Sequence, residues 1–211
     1  MRKIKRQKPV EAILKQEGVC RIKLNANLLL HELGKMSDYK CAYCETHYEH
    51  ESHKGRTPEK EHFYPKSKYP KLKDSWWNLF WSCPTCNSLE YKGNKFEKTN
   101  SNKRIIPLKP DDEGKLNGIS YSFDNWFILN YRTGELKPHP RKNNKERAEW
   151  TIKLFGLNRS GLLSARLRIL EKFLKNYDQN NYEKEQLHLN NWSYSFFIES
   201  WLKINQLPYK N

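Results

Sequence analysis

Four cysteines stand in two pairs of identical spacing, Cys41-Ala-Tyr-Cys44 and Cys83-Pro-Thr-Cys86. Two residues between thiolates let both sulfurs of a pair face one tetrahedral ion from a single turn, and two such turns close a structural Zn2+ site. The alternative is four buried thiols without a metal. A site of this kind contributes folding energy and does not by itself imply catalysis. His47, His50 and His53 follow Cys44 at three-residue steps. Any of them could replace a cysteine as ligand, but four thiolates already complete the site, so these histidines are expected at the surface. Cys20 stands apart and is expected to be a small buried hydrophobe.

The chain between the inner cysteines is longer than a zinc clip needs and carries Glu61-His62 and Asn78, and Asn87 follows the second pair. Asn78 follows His62 by sixteen residues, Asn87 follows Asn78 by nine, and Asn87 directly succeeds the second CxxC. Taken singly, His62 could be an ordinary surface or core residue, Asn78 a helix N-cap and Asn87 a polar helix residue. Together, in EHFYPKS and WNLFWSCPTCN between two knuckles, they resemble the HNH, or His-Me finger, nucleases. The resemblance implies an α+β fold with a ββα-metal core, flanked here by N-terminal and C-terminal helices. It implies His62 as general base, Asn78 as the residue that orients it, and Glu61 with Asn87 as ligands of a catalytic Mg2+ or Mn2+.

The chemistry suits those roles. Phosphodiester hydrolysis needs an activated water, neutralisation of developing charge and a route for the leaving 3′ oxygen. Histidine titrates near neutrality, and carboxylate and amide oxygens suit a hard divalent cation. Neighbouring residues on a strand face opposite ways. Glu61 and His62 therefore share a centre only where the strand ends or bends, and Pro65 offers the place.

Several elements must position these residues. Residues 9–17 read as a short helix stopped by Gly18, and 21–33 as a second helix ended by Gly34. Residues 46–60 read as a polar loop. Residues 59–91 read as a short strand, a Pro- and Lys-rich loop, another extended piece and a helix with Pro84 in its first turn. Residues 119–137 read as strands, with turns at Asp124-Asn125 and Arg132-Thr133-Gly134. From 143 onward an apolar stripe with helical spacing runs through Ala148, Ile152, Leu154, Phe155, Leu162, Leu163, Leu167, Leu170, Phe173, Leu174, Trp192, Phe196, Phe197, Trp201 and Leu202, which suits a helix-bundle core. A soft boundary lies near 105–118. The expected regions are 1–36, N-terminal and helical; 37–110, the zinc-stapled core; and 111–211, a β-hairpin with C-terminal helices, all packed as one unit.

The chain has 211 residues, 36% of them hydrophobic and 13% aromatic, so it is long and apolar enough to fold. Its formal charge of +15 and pI of about 9.5 favour a polyanionic partner. The basic residues come in bursts, and Lys66, Lys68, Lys71, Lys73, Lys92 and Lys95 are expected to contact nucleic acid. A solvated face and an anionic membrane surface are the alternatives. No apolar run is long enough to span a bilayer. The start MRKIKRQKPVEAIL lacks the apolar region of a signal peptide. A cytoplasmic location with reduced cysteines is expected.

A closer resemblance extends over roughly residues 1–175. MRKIKR, CAYCE, EHFYPKSKYP, RIIPLKP and RAEWTIKLFGLN together resemble the PtuB family, the HNH component of Septu-type anti-phage defence and of some retron systems. The departures are the three extra histidines and an asparagine, not a histidine, at the third motif position. The resemblance implies a PtuA-type ABC ATPase as partner and, in retron versions, a reverse transcriptase whose msDNA restrains the nuclease. It implies DNA as substrate, with a host tRNA as the alternative. A non-catalytic zinc-dependent nucleic-acid-binding subunit and an assembly subunit are rivals of other classes. Of the tryptophans Trp76, Trp77, Trp81, Trp126, Trp192 and Trp201, most are expected in the core and some near the C-terminus could dock the ATPase.

Overall fold

The described N-terminal residues form short paired strands, one helix and single turns, and the described C-terminal residues form a further hairpin and three helices. A computed structural model describes residues 13–16, 19–22, 26–47, 57–100, 103–110, 126–140, 145–184, 187–189 and 192–209. Its architecture is mixed α/β, and the described strands form four two-stranded antiparallel sheets.

The first sheet corrects the expected helix at 9–17. Ile13–Gln16 (β1) pairs with Val19–Ile22 (β2), Gln16 opposite Val19. The β-branched Ile13, Val19 and Ile22 favour a pleated surface over a helix. Gly18, expected to stop a helix, lies outside the described residues. The next helix, α1, spans Ala26–Met36 and runs past Gly34. Gly34 serves packing: a Cβ there would lie 2.8 Å from the Tyr39 ring and 3.2 Å from Trp81 Nε1.

The middle of the chain follows the expected order. Strand β3 (Glu59–His62) pairs with β4 (Leu79–Ser82) across a loop containing two short 3₁₀ turns, Pro70–Leu72 and Trp76–Asn78. The helix α2 (Pro84–Asn87) is a single turn with Pro84 at its start. Two further hairpins follow, β5 (Lys98–Asn100) with β6 (Lys103–Ile105) and β7 (Phe127–Leu129) with β8 (Leu136–Pro138). The turn at Arg132–Gly134 falls where its residues direct, with Gly134 at φ 74°. The other expected turn, Asp124-Asn125, lies outside the described residues.

The C-terminal helices are α3 (Lys145–Leu154), α4 (Ser160–Asn176) and α5 (Ser195–Ile204). Ala148, Leu154, Phe155, Leu162, Leu170, Phe173, Phe196, Phe197 and Leu202 are buried in one cluster with the four cysteines, Phe63, Phe80 and Trp126. The same cluster therefore holds the four cysteines and the C-terminal helices. A second, smaller cluster packs Leu29 and Leu33 of α1 on Trp76, Leu79 and Trp81. Trp192 and Trp201 pack half-buried against the main cluster, whereas Trp77 is 41% exposed. No described helix is long and apolar enough to cross a membrane.

The hairpin β3–β4 separates these two clusters, and its register decides which way each site residue points. Directly opposed residues of an antiparallel pair share a face. Glu61 pairs with Phe80, which belongs to the main cluster, and His62 pairs with Leu79, which belongs to the α1 cluster. Glu61 and His62 accordingly begin on opposite faces.

Candidate functional site

The cysteine pairs come together as their spacing requires. Their sulfurs all lie within 4.8 Å of one another, and all four residues are buried. A Zn–S bond of about 2.3 Å gives a tetrahedron with edges of about 3.8 Å, and Cys44 Sγ lies 3.8 Å from Cys83 Sγ. The donor set and spacing thus fit Zn2+. In the first knuckle the Cys41 amide donates to Thr46 O and the Glu45 amide to Cys41 O, with Glu45 in the left-handed region at φ 60°. The Ala42 amide donates to Trp81 O at 3.0 Å, fastening the knuckle to the end of β4. In the second, Cys83 is the N-cap of α2 and accepts from the Cys86 amide at 3.4 Å.

Arg159, which the spacing of motifs did not mark, completes this centre. Its guanidinium lies 3.6 Å from Cys86 Sγ and donates to the carbonyls of Phe155 and Gly156. Four thiolates around Zn2+ leave two negative charges, so a partly buried cation here offsets them. Burial opposes the charge on Arg159, but the thiolates of Cys86, Cys44 and Cys83 more than compensate and raise its pKa. Among the neighbouring histidines, His47 closes the first knuckle by bridging to Lys40, and its amide donates to Ser193 Oγ at 2.8 Å. It is not among the metal-spaced thiolates. His50 and His53 lie outside the described residues.

His62 ends β3 and is half-buried. Its Nε2 lies 2.9 Å from the carbonyl oxygen of Lys73. A carbonyl only accepts, so the ring donates from Nε2, and in the neutral imidazole Nδ1 carries the lone pair. Burial lowers the His62 pKa below its ordinary value; the Lys73 carbonyl opposes this, and the charges of Lys60, Lys66 and Lys92 add to it. The neutral, proton-accepting form is therefore favoured at neutral pH.

Asn78 is buried and holds the loop that supplies that carbonyl. Its Nδ2 donates to Tyr64 O and Leu72 O, both at 3.0 Å, and its Oδ1 accepts from the Tyr64 amide at 2.7 Å. It was expected to orient His62 by direct hydrogen bonding. Its contacts instead pin both ends of the loop, and Lys73, which meets the imidazole, follows Leu72 directly.

Two residues depart from expectation. Glu61 was expected to hold a catalytic cation with Asn87. Its carboxylate is instead turned into the core, 1% exposed, ion-paired with Lys92 and hydrogen-bonded by the Tyr43 hydroxyl. The alternation of the strand puts it there, because β3 stays regular up to His62. Lys92 was expected to grip phosphate, but it is also 1% exposed. Its Nζ donates to the His62 carbonyl oxygen at 2.6 Å. A lysine enclosed in this way does not reach a polymer.

Asn87 meets a different carboxylate. Its Nδ2 donates to Glu59 Oε2 at 2.7 Å on the exposed side. The bond joins α2 to β3 and leaves the Asn87 side-chain oxygen as the hard donor. Glu59 stands three residues before His62, about 10 Å along a strand at roughly 3.3 Å per residue, and alternation puts it on the Glu61 face of β3, opposite His62. Lys66, Lys68, Lys71, Lys73 and Lys95 are exposed, as a phosphate-contacting role requires. Lys68 and Lys73 lie 4.0 and 3.9 Å from Glu97 and Asp74, and Lys95 donates to Glu90 O. No sequence signal marked Glu59, Tyr43, Lys92 or Arg159 in these roles, except that Tyr43 sits between two metal ligands.

No protein-family model matches the chain. Over 53 residues, 25% of its length, the chain is 47% identical to the Septu protein PtuB of Bacillus thuringiensis. The match spans 20% of that relative, so four-fifths of the relative lies outside it.

Proposed function

We propose that the protein is a metal-dependent HNH-type endonuclease acting in anti-phage defence. The observation that carries this reading is His62 at the end of β3, its Nε2 engaged by Lys73 and its Nδ1 left as the basic nitrogen. In the proposed reaction His62 Nδ1 takes a proton from water as the oxygen attacks the phosphorus. The 3′ oxygen leaves in line, and the depressed pKa keeps the base unprotonated beforehand. Asn78 holds the loop, and so the tautomer. Lys60 and Lys66, whose charges reach His62, draw the phosphate toward it. A bound Mg2+ or Mn2+ would supply neutralisation of the phosphate charge, and Asn87, whose side-chain nitrogen is engaged by Glu59, would hold it through its side-chain oxygen. The Zn2+ centre is structural: its four ligand positions are filled by thiolates.

The partial likeness to a Septu protein supports a place in such a defence system. By that likeness the partner is a PtuA-type ATPase, and in a retron setting a reverse transcriptase with its msDNA would be the restraint. DNA is the proposed substrate; tRNA is the second reading, because this chemistry needs no 2′-hydroxyl and excludes none. The test incubates the purified chain, alone and with the ATPase, with duplex DNA and tRNA in Mg2+ or Mn2+. Nicks or breaks absent from a His62→Ala control support the proposal. Equal inertness of both proteins on every polymer and cation, with the ATPase present, would remove it.

A further inference from the structure

The buried group formed by Tyr43, Glu61 and Lys92 lies inside the protein yet touches both halves of the site. Lys92 and Glu61 are each 1% exposed, and their ion pair is closed by the Tyr43 hydroxyl. Each member is tied to a zinc knuckle. Tyr43 lies between Cys41 and Cys44, its ring stacked on Phe155 at 3.8 Å between centroids. The Lys92 amide donates to the carbonyl of Cys86 at 3.4 Å. From the other end, Lys92 Nζ donates to the main-chain oxygen of His62 at 2.6 Å. Two arms therefore run from the two knuckles to two consecutive residues of β3, one ending on the Glu61 side chain and one on the His62 carbonyl.

The geometry points to Lys92 and Glu61 as positioning residues for His62, acting as one unit that transmits the rigidity of the zinc centre to the general base. This rests on the nuclease reading above. Burying two charges is costly, and a nonpolar pair of similar volume would fill the same space without that cost. What the nonpolar pair would lack is a donor for the His62 carbonyl. That carbonyl follows directly from the imidazole-bearing Cα, so holding it steadies the backbone from which the ring projects, while the Lys73 carbonyl fixes the ring itself. Lys92 neither meets solvent nor can reach phosphate, and the Glu61 carboxylate is enclosed by Lys92 and Tyr43. Neither residue needs to touch substrate.

The test uses the full chain with Lys92→Met, Glu61→Gln and the double variant Glu61→Met/Lys92→Met, which removes both charges and is expected to fold even where a single variant does not. For Lys92→Met and the double variant, turnover should fall at least tenfold. The half-saturating Mg2+ concentration and the salt dependence of nucleic-acid binding should stay as in the wild type. In Lys92→Met the acid limb of activity should move upward in pH, because a positive charge near His62 is lost. NMR titration of the His62 ring, which needs no cleavage, should report the same upward movement. Wild-type turnover in the double variant, or a wild-type acid limb in Lys92→Met, would overturn the inference. So would Glu61→Gln raising the half-saturating Mg2+ more than tenfold while Lys92→Met leaves it alone, since Glu61 would then be a cation ligand. A shallower salt dependence in Lys92→Met would also overturn it, by making Lys92 a phosphate contact. If the wild type cleaves nothing, the nuclease reading fails, and the NMR titration still decides whether the pair governs the His62 environment.

Discussion

Replacing Cys83 with serine isolates what the metal contributes to folding. Cys83 does two things: its sulfur caps α2 by accepting from the Cys86 amide at 3.4 Å, and it lies 3.8 Å from Cys44 Sγ in the metal-spaced cluster. A serine hydroxyl caps a helix well, so the cap survives and only the ligand is removed. Structural Zn2+ contributes about 10–16 kcal/mol in small zinc-dependent folds, comparable with the roughly 5–15 kcal/mol total stability of an ordinary domain. The loss here reaches beyond the knuckles. Ala42 is bonded to the end of β4, Tyr43 is stacked on Phe155 after α3, and Arg159 is left as a buried cation without its thiolates. If only about a third of the metal's contribution is lost, roughly 3–5 kcal/mol, the melting temperature drops by on the order of 10 °C at about 2–4 °C per kcal/mol for this size. The assay is thermal unfolding of the wild type, the wild type with chelator, and Cys83→Ser, with zinc measured per chain. One zinc per wild-type chain and a matched drop in the other two samples is the expected result. A variant that melts with the wild type, or a wild type that carries no zinc, refutes the reasoning.

Asn78→Ala removes three hydrogen bonds that hold the 64–72 segment. At about 0.5–1.5 kcal/mol each, the loss should be roughly 2–4 kcal/mol in a denaturant titration, with cleavage reduced further than the folded fraction. Converting Lys66, Lys71 and Lys73 together to Gln should lower the slope of log affinity against log salt by up to about 3 on duplex DNA, with the fold unchanged because all three are exposed. An unaltered slope would exclude this loop from the interface. The activity of the wild type should persist below the ordinary histidine pKa of about 6.5, since burial depresses that of His62. The sign for stability follows: the unfolded chain binds the proton more readily, so the stabilisation is present above about pH 6.5 and is lost as pH falls through the folded value. A plot of cleavage rate and melting temperature against pH checks both.

The four-cysteine cluster was legible because its geometry is local: CxxC spacing fixes each half, and the hairpin between brings the halves together. The order strand, loop, strand and single-turn helix was legible for the same reason, from EHFYP, the lysine-rich loop and Pro84. The C-terminal stripe foretold the buried faces of α3, α4 and α5 because amphipathic spacing survives tertiary packing. The N-terminal stretch was misread because its apolar residues fit a helix as well as a strand, and pairing of Ile13 with Ile22 decided the matter. The partners of Glu61, Asn87 and Lys92 were not legible, because each depends on a contact made across the fold. Alternation along β3 already set Glu61 opposite to His62, but nothing in the spacing shows that a lysine 31 positions later closes over it, or that Glu59 waits beside Asn87.

The central claim, that His62 is the base of a nuclease, is tested most directly by the cleavage rate of His62→Ala against the wild type, with zinc content, melting temperature and nucleic-acid affinity measured on the same samples. The account predicts a loss of about 10²–10⁴-fold in rate with the other three quantities unchanged. Equal cleavage by the two proteins would contradict it.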